Sequence, residues 1–218
     1  MVSLPSFEIE MALRAQGHSF VAGLDEAGRG AWAGPVVAAA VILPLGRSGL
    51  ECVLVGVRDS KQLSHHARAT LFEVICQTAL GVGVGVSAPA VVDREGVVPA
   101  TRRAMGKALA RLSPQPECLI LDYVRLAAVS LPQVALPKAD AISFSVAAAS
   151  IIAKVSRDRL MGLLDQRYPG YGFARHKGYG TPMHRAALAA LGPSPIHRLS
   201  FAPLQTYLSS DSACGGAA

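Results

Sequence analysis

A chain of 218 residues that is 51% hydrophobic can bury a full core, so a disordered protein is excluded and one main domain with a small appendage is expected. Its longest apolar segment, residues 31 to 45, is broken by Gly34, Pro35 and Pro44, short of the roughly 18 to 20 uninterrupted residues of a membrane helix, and no basic region leads into an apolar N-terminal core. The expectation is a cytoplasmic protein with no membrane association, and the net charge of +6, with arginine far outnumbering lysine, points to a polyanionic partner whose phosphates arginine forks can match.

In chain order, residues 19 to 24 and 35 to 43 read as strands, the second a nearly continuous apolar run that implies burial on both faces. "CVLVGV", residues 52 to 57, reads as a short strand or a bridging segment, and Ser64 as the N-cap of a helix over 65–79. "GVGVGV", residues 81 to 86, lacks the strand-turn-helix context of a nucleotide-binding fingerprint. It reads as a strand with valines on one face and a bare, closely approachable face opposite. A helix from about Pro99 to Leu112 precedes a buried strand over 118–122, and an alanine-rich segment over 142–167 predicts a long, closely packed helix. Residues 168 to 208 form a basic segment rich in Pro, Gly, Tyr, Arg and His, with a helical patch at 182–191, and 209–218 read as a disordered tail. Four widely spaced cysteines without a CxxC pair suit reduced thiols rather than disulfides or zinc.

Asp25, Glu26, Asp122 and Asp140 share a position: each stands where a strand ends or a helix begins, rather than on a polar helix face. Ends of adjacent strands meet on one rim of an α/β fold, so these acids can converge. Unit charges 4 Å apart repel by about 4 kcal/mol at an effective dielectric of 20, and hard divalent cations relieve that repulsion. Oxygen-only ligation favours Mg²⁺ or Mn²⁺ over zinc, and the histidines show no HxxxH or HExxH spacing.

Five segments in order, "VAGLDEAGRGAWAGPVVAAAVIL", "DSKQLS", "KADAISFSVAAASIIAKVSRD", "YPGYGFARHKGYGTPMHRAAL" and "GPSPIHRLSF", resemble ribonuclease HII, the type 2 ribonuclease H family, from about residue 19 to 204. The resemblance implies a ribonuclease H-like α/β fold: a five-stranded mixed sheet, three antiparallel strands followed by two parallel ones, flanked by helices, with a small C-terminal helical extension. An N-terminal extension would cover 1–18, the catalytic domain 19–167, and a basic substrate-contacting segment 168–208. It also implies a divalent-metal endonuclease that hydrolyses RNA in RNA/DNA hybrids and cuts 5′ of single ribonucleotides in duplex DNA, leaving 5′-phosphate and 3′-hydroxyl ends. Asp25, Glu26, Asp122 and Asp140 would hold two ions, Mg²⁺ or Mn²⁺, about 3.5 to 4 Å apart.

Gly28, Arg29 and Gly30 would read the 2′-hydroxyl, glycines letting backbone approach the sugar. Tyr179 would stack at that sugar, with Tyr171 as its rival, and Ser60 and Lys61 would contact a backbone phosphate. Asp158 lies about 27 Å along a helix from Asp140 and reads as a structural ion pair or hydrogen bond. His176, His184 and His197 read as phosphate contacts or structural hydrogen bonds, His65 and His66 as surface residues. Three departures from the family pattern stand out: Asp122-Tyr123 replaces the usual Asp-Gly, Lys138-Ala139-Asp140 the usual Lys-Gly-Asp with its carboxylate kept in place, and Trp32 a smaller residue. A monomer is expected, with a sliding clamp as a conceivable partner. The alternatives are an inactive duplex-binding relative and the sister family ribonuclease HIII, which usually carries an additional N-terminal domain.

Overall fold

The structure, a computed structural model, describes residues 4–206, so the expected disordered tail lies outside the described residues. Strand β1 (Val21–Ala27) pairs antiparallel with β2 (Val36–Ile42), and β2 pairs antiparallel with β3 (Gly81–Ser87). On its other side β1 runs parallel to β4 (Cys118–Asp122), which runs parallel to β5 (Gln133–Leu136). The order β3-β2-β1-β4-β5 is the five-stranded mixed sheet the resemblance implies. Every residue of β2 is buried, as its unbroken apolar run requires, because helices cover both faces.

On one face lies α5 (Val97–Leu109), which presents Ala100, Ala104, Met105 and Ala108 to Leu24, Ala38, Ala40 and Leu119. Gly83 and Gly85 make this approach possible: a Cβ at Gly83 would stand 2.1 Å from the Ala108 carbonyl oxygen, and one at Gly85 2.0 Å from that of Ala104. The bare face of "GVGVGV" is thus the seat of a helix backbone, while Val82 and Val84 pack into the opposite core. Because β3 is an edge strand, its unpaired carbonyls invite another chain. Lys107 Nζ donates to Val86 O at 3.0 Å and Arg111 donates to Val84 O, so two of them are occupied.

The other face is covered by α6 (Phe144–Arg167), whose alanines 147, 148, 149 and 153 pack with Ala39, Val41 and Leu43, and by α3 (His65–Thr78) outside it. Ser64 caps α3 by accepting from Ala67 N–H at 3.1 Å, as its sequence predicts. Ser143 caps α6 by accepting from Val146 N–H, and is itself held by Glu10 of α1 (Glu8–Ala15), which accepts from Ser143 Oγ at 2.6 Å and from Ser145 N–H at 2.9 Å. A buried carboxylate at the positive end of α6 suits the helix dipole and ties α1 to the core.

Three local readings are refined. The run over 52–57 forms no strand and is the bridging segment of the two alternatives: a single helical turn, α2 (Leu50–Val53), leads into a turn over 54–56, with Leu50 and Leu54 buried at i, i+4 spacing. A short helix, α4 (Pro89–Glu95), precedes α5 and had no counterpart in the sequence reading, and the same holds for β5. The C-terminal segment contains α7 (Phe173–His176) and α8 (Pro182–Leu191), the latter matching the helical patch.

Candidate active site

Strand β1 does not stop before its acids: it runs through Asp25 and Glu26 to Ala27. Alternation places Asp25 on the α6 side with Ala27, and Glu26 on the α5 side with Leu24. Leu24 pairs with Leu121 across the parallel ladder, so Asp25 and Asp122, the next residues along, stand level at the strand ends. Asp140 sits in the 3-10 turn Ala139–Ala141 just ahead of α6, and Ala139 N–H donates to Asp122 Oδ1 at 3.1 Å, tying turn to strand. Asp25, Glu26 and Asp122 line a cleft of about 330 Å³. Asp140 lines an adjoining space of about 480 Å³ that shares Asp122 and Lys61 with the first.

The acids feel one another. Burial, then Glu26, and further Asp122 and Asp140 push the Asp25 carboxyl well above the usual range, against the lowering effect of a hydrogen bond from Glu26 N–H. Burial raises Glu26 despite the opposing Arg29 guanidinium, whose Nη1 lies 3.1 Å from Glu26 Oε1. Asp140 is raised by burial and then by Asp59, with Lys61 opposing; Lys61 Nζ stands 4.0 Å from Asp140 Oδ2. Among the described residues no three Asp, Glu, His or Cys side chains meet at one point close enough to ligate an ion as they stand. The carboxylates hold other partners instead, and Glu26 Oε2 is buried with no hydrogen bond among the described residues. A mutually repelling, oxygen-only set with an orphaned buried oxygen fits a hard cation, which would replace the donors now occupying these oxygens.

The other expected residues surround this rim. Gly28, Arg29, Gly30, Ser60, Lys61 and Tyr179 all line the 330 Å³ cleft. Gly28 is buried with φ +92, and a Cβ there would meet Arg157 Nε at 2.0 Å, so backbone conformation and side-chain packing both require glycine. Ser60 is 4% exposed and its Oγ accepts from Ser150 Oγ at 2.8 Å, leaving Lys61, with a largely exposed side chain, as the freer of the pair. Tyr179 is 37% exposed at the cleft, whereas Tyr171 is buried, donates its hydroxyl to Gly192 O and stacks on Phe173. Asp158 accepts from Lys154 Nζ at 2.7 Å, an ion pair as read. His176, His184 and His197 are buried together, which makes them structural hydrogen-bonding groups and removes them from phosphate contact. Trp32 packs against Gly180 and beneath Arg185, joining the 28–35 loop to the Tyr179 loop.

Sequence reasoning missed Asp59, which faces Asp140, and Ser150 and Lys154, which reach the cleft from α6. The signal for the last two was present: Ser150 and Lys154, with Arg157 after them, recur at i, i+4, i+7 along a helix whose first half is otherwise mostly apolar. Arg157 is fully buried and donates to the carbonyls of Ala33, Pro35 and Lys177, with no carboxylate hydrogen-bonded to it among the described residues.

The sequence model of the family described as Ribonuclease HII matches residues 22–204. Ribonuclease HII of Chloroflexus aurantiacus is 53% identical over 201 residues, covering 92% of this chain and 95% of that protein. The ribonuclease HII in a complex with PCNA from Archaeoglobus fulgidus superposes with a TM-score of 0.70 at 30% identity, over 84% of this chain and 95% of that one. Bst-RNase HIII, solved with Mn²⁺, is more distant: TM-score 0.63 and 25% identity over 89% of this chain but 70% of that one. The sister family and an inactive relative both give way to these matches, and the chain belongs to the ribonuclease HII family, an endoribonuclease of the type 2 ribonuclease H class.

Proposed function

We propose that this enzyme hydrolyses RNA in RNA/DNA hybrids and cuts duplex DNA on the 5′ side of a single ribonucleotide, using Asp25, Glu26, Asp122 and Asp140 to hold two Mg²⁺ or Mn²⁺ ions. When bound, the pair would supply an activated water and neutralise charge on the leaving 3′ oxygen, giving 5′-phosphate and 3′-hydroxyl products. The observation that carries the reading is the group of mutually repelling carboxylates at the ends of β1 and β4 and in the turn before α6, with a buried Glu26 oxygen unpartnered among the described residues. Divalent-metal dependence is supported by Bst-RNase HIII, whose structure was solved in complex with Mn²⁺.

The chain's own residues do the selecting. Backbone groups of Gly28 to Gly30 meet the ribose from one side and the Tyr179 ring from the other, on the minor-groove face where a 2′-hydroxyl distinguishes RNA from DNA. Arg29 holds Glu26 in place through its ion pair, coupling the sugar-reading loop to the acid rim. Lys61 offers a point charge to a flanking phosphate and offsets the negative charge around Asp140. The complex of the Archaeoglobus ribonuclease HII with PCNA supports a sliding clamp as a partner here too. The cytoplasm is the proposed location.

The test is cleavage of an end-labelled duplex carrying one ribonucleotide, with each metal and with chelator. Asp122→Asn should abolish cleavage while leaving binding of the duplex largely intact. Unchanged turnover would remove Asp122 from the site, and a cut on the 3′ side would refute the proposed regiochemistry.

A further inference from the structure

The peptide that carries Tyr179 is anchored at every polar backbone group. Lys177 and Gly178 adopt consecutive positive φ angles, 55° and 82°, a conformation a free chain seldom holds. Lys177 N–H donates to Phe173 O and its carbonyl accepts from Arg157 Nη1 at 2.9 Å; Gly178 N–H donates to His176 Nδ1 at 3.1 Å and its carbonyl accepts from Trp32 N–H at 2.8 Å. Tyr179 N–H donates to His176 O, and Tyr179 O accepts from Thr181 N–H at 2.8 Å and lies 3.0 Å from His184 Nδ1. A Cβ at Gly178 would stand 2.2 Å from Ala33 O, so the loop also has no room to shift toward the 28–35 segment.

Behind Tyr179 the hydrogen bonds run in one direction, and the backbone donors set it. Ser194 N–H donates to His197 Nδ1 at 2.8 Å, so His197 carries its proton on Nε2. His197 Nε2 then donates to His184 Nε2 at 3.0 Å, which leaves His184 protonated on Nδ1, facing the Tyr179 carbonyl. Both rings are buried, and burial lowers each to a pKa of about 4. A second proton on His184 would set two Nε2–H donors against each other, and one on His197 would set Nδ1–H against Ser194 N–H. The mechanism uses none of these histidines, yet one of them ends on the residue the cleft presents to substrate.

We infer that His184, oriented by His197, is a positioning residue for substrate selection: it fixes the Tyr179 peptide, and through it the ring, against the sugar. The inference rests on the proposed role of Tyr179, and the experiment separates the two. A double-mutant cycle is measured as kcat/KM on a duplex carrying one ribonucleotide, using Tyr179→Ala, His184→Leu, the pair, and His184→Asn, whose amide NH₂ takes the place of Nδ1–H. Tyr179→Ala alone should lower kcat/KM. His184→Leu should lower it about tenfold, the loss of one oriented hydrogen bond expressed as a rate, and His184→Asn should recover most of that loss.

In the Tyr179→Ala background, His184→Leu should cost nothing further, since residues acting through one another are not additive. A merely structural histidine would instead lower both backgrounds alike. A fully additive cost, or an Asn variant no better than Leu, overturns the inference while leaving the role of Tyr179 standing; a Tyr179→Ala variant with unchanged kcat/KM overturns both. Should His184→Leu fail to fold, His197→Leu carries the same cycle, because it keeps the donor at 184 but frees its tautomer. Its loss should be smaller, and should likewise vanish without the Tyr179 ring.

Discussion

The two walls of the cleft are built on opposite terms. On the acid rim the groups repel: Asp25, Glu26 and Asp140 are all held above their ordinary pKa by burial and by neighbouring carboxylates, and a buried oxygen of Glu26 has no partner among the described residues. On the Tyr179 side the loop is saturated: every backbone donor and acceptor from 177 to 179 is bonded, and Arg157 and Arg198 are buried with their guanidinium groups spread over carbonyls of the 29–35 segment and Lys177. One wall is incomplete as protein alone and the other is complete. A site that must capture ions yet measure a sugar needs both, because an ion can finish a charged rim whereas a loop that discriminates a hydroxyl must already be in place.

The sharpest way to break that contrast is Asp25→Asn. The amide keeps the oxygen that accepts from Glu26 N–H at 2.7 Å but removes the charge. Cleavage of the single-ribonucleotide duplex should fall about a thousandfold, roughly 4 kcal/mol of transition-state stabilisation. Thermal unfolding in chelator should show the same variant more stable than the parent, by about 1 kcal/mol, since a repelling charge is gone. A less stable variant would mean that the rim is not strained by its own charge.

On the saturated wall the corresponding perturbation is acid. His184 and His197 are held near pKa 4 in the fold against an ordinary value of about 6.5, so the unfolded chain binds more protons between those values. Their contribution to stability is complete above about pH 6.5 and is lost as pH falls toward 4, by up to ~3 kcal/mol for each ring. The midpoint of urea unfolding should decline over that window, and His184→Asn should flatten the decline. A slope unchanged by His184→Asn would remove that ring from the account. The buried carboxylates with raised pKa act in the opposite sense, gaining stability on protonation, so the cleanest comparison is the difference between parent and variant.

Adding Mg²⁺ or Mn²⁺ should act on the acid rim alone. A ligand at 100 times its Kd stabilises the folded state by about 2.7 kcal/mol, which for a chain of this size is a rise in Tm of roughly 5 to 10 °C. The shift should vanish in Asp25→Asn and persist in His184→Asn. An equal shift in both would place the ions elsewhere.

How far these walls could be foreseen follows from the kind of signal each uses. The acids were legible because a carboxylate after an apolar run is out of pattern, and five ordered segments fixed the family. The bare glycine face of β3 was legible for a similar reason: alternation of Gly and Val has few other uses. The saturated wall was not, because its bonds join segments far apart, Arg157 to Ala33 and Arg198 to Gly34, and carbonyl acceptors leave no mark on side-chain chemistry. Asp59 escaped notice because it gains meaning only opposite Asp140. The edge strand β5 is half-buried along its whole length and so shows no alternation, and the apolar run near residue 52 is too short to separate a strand from the helical turn it forms.

Tyr123 joins the acid rim to its supporting loop, and its substitution tests the smallest effect. Its φ is +62°, and Val124 N–H donates back to Asp122 O at 2.7 Å, a tight three-residue turn that bulky side chains seldom tolerate. The departure from Asp-Gly at this point therefore costs backbone strain, about 1 to 2 kcal/mol for an L-residue in the left-handed region. Tyr123→Gly relieves that strain but gives the unfolded chain more freedom, worth roughly 0.5 to 1 kcal/mol in the other direction. The net expectation is a gain of under about 1 kcal/mol, seen as a slightly higher urea midpoint with an unchanged m-value. The ring is 72% exposed and does not line the cleft beside Asp122, so kcat/KM should move by less than about threefold. A larger loss of cleavage in a stabilised variant would show that the ring touches the duplex, and that the acid rim extends one residue further than its carboxylates.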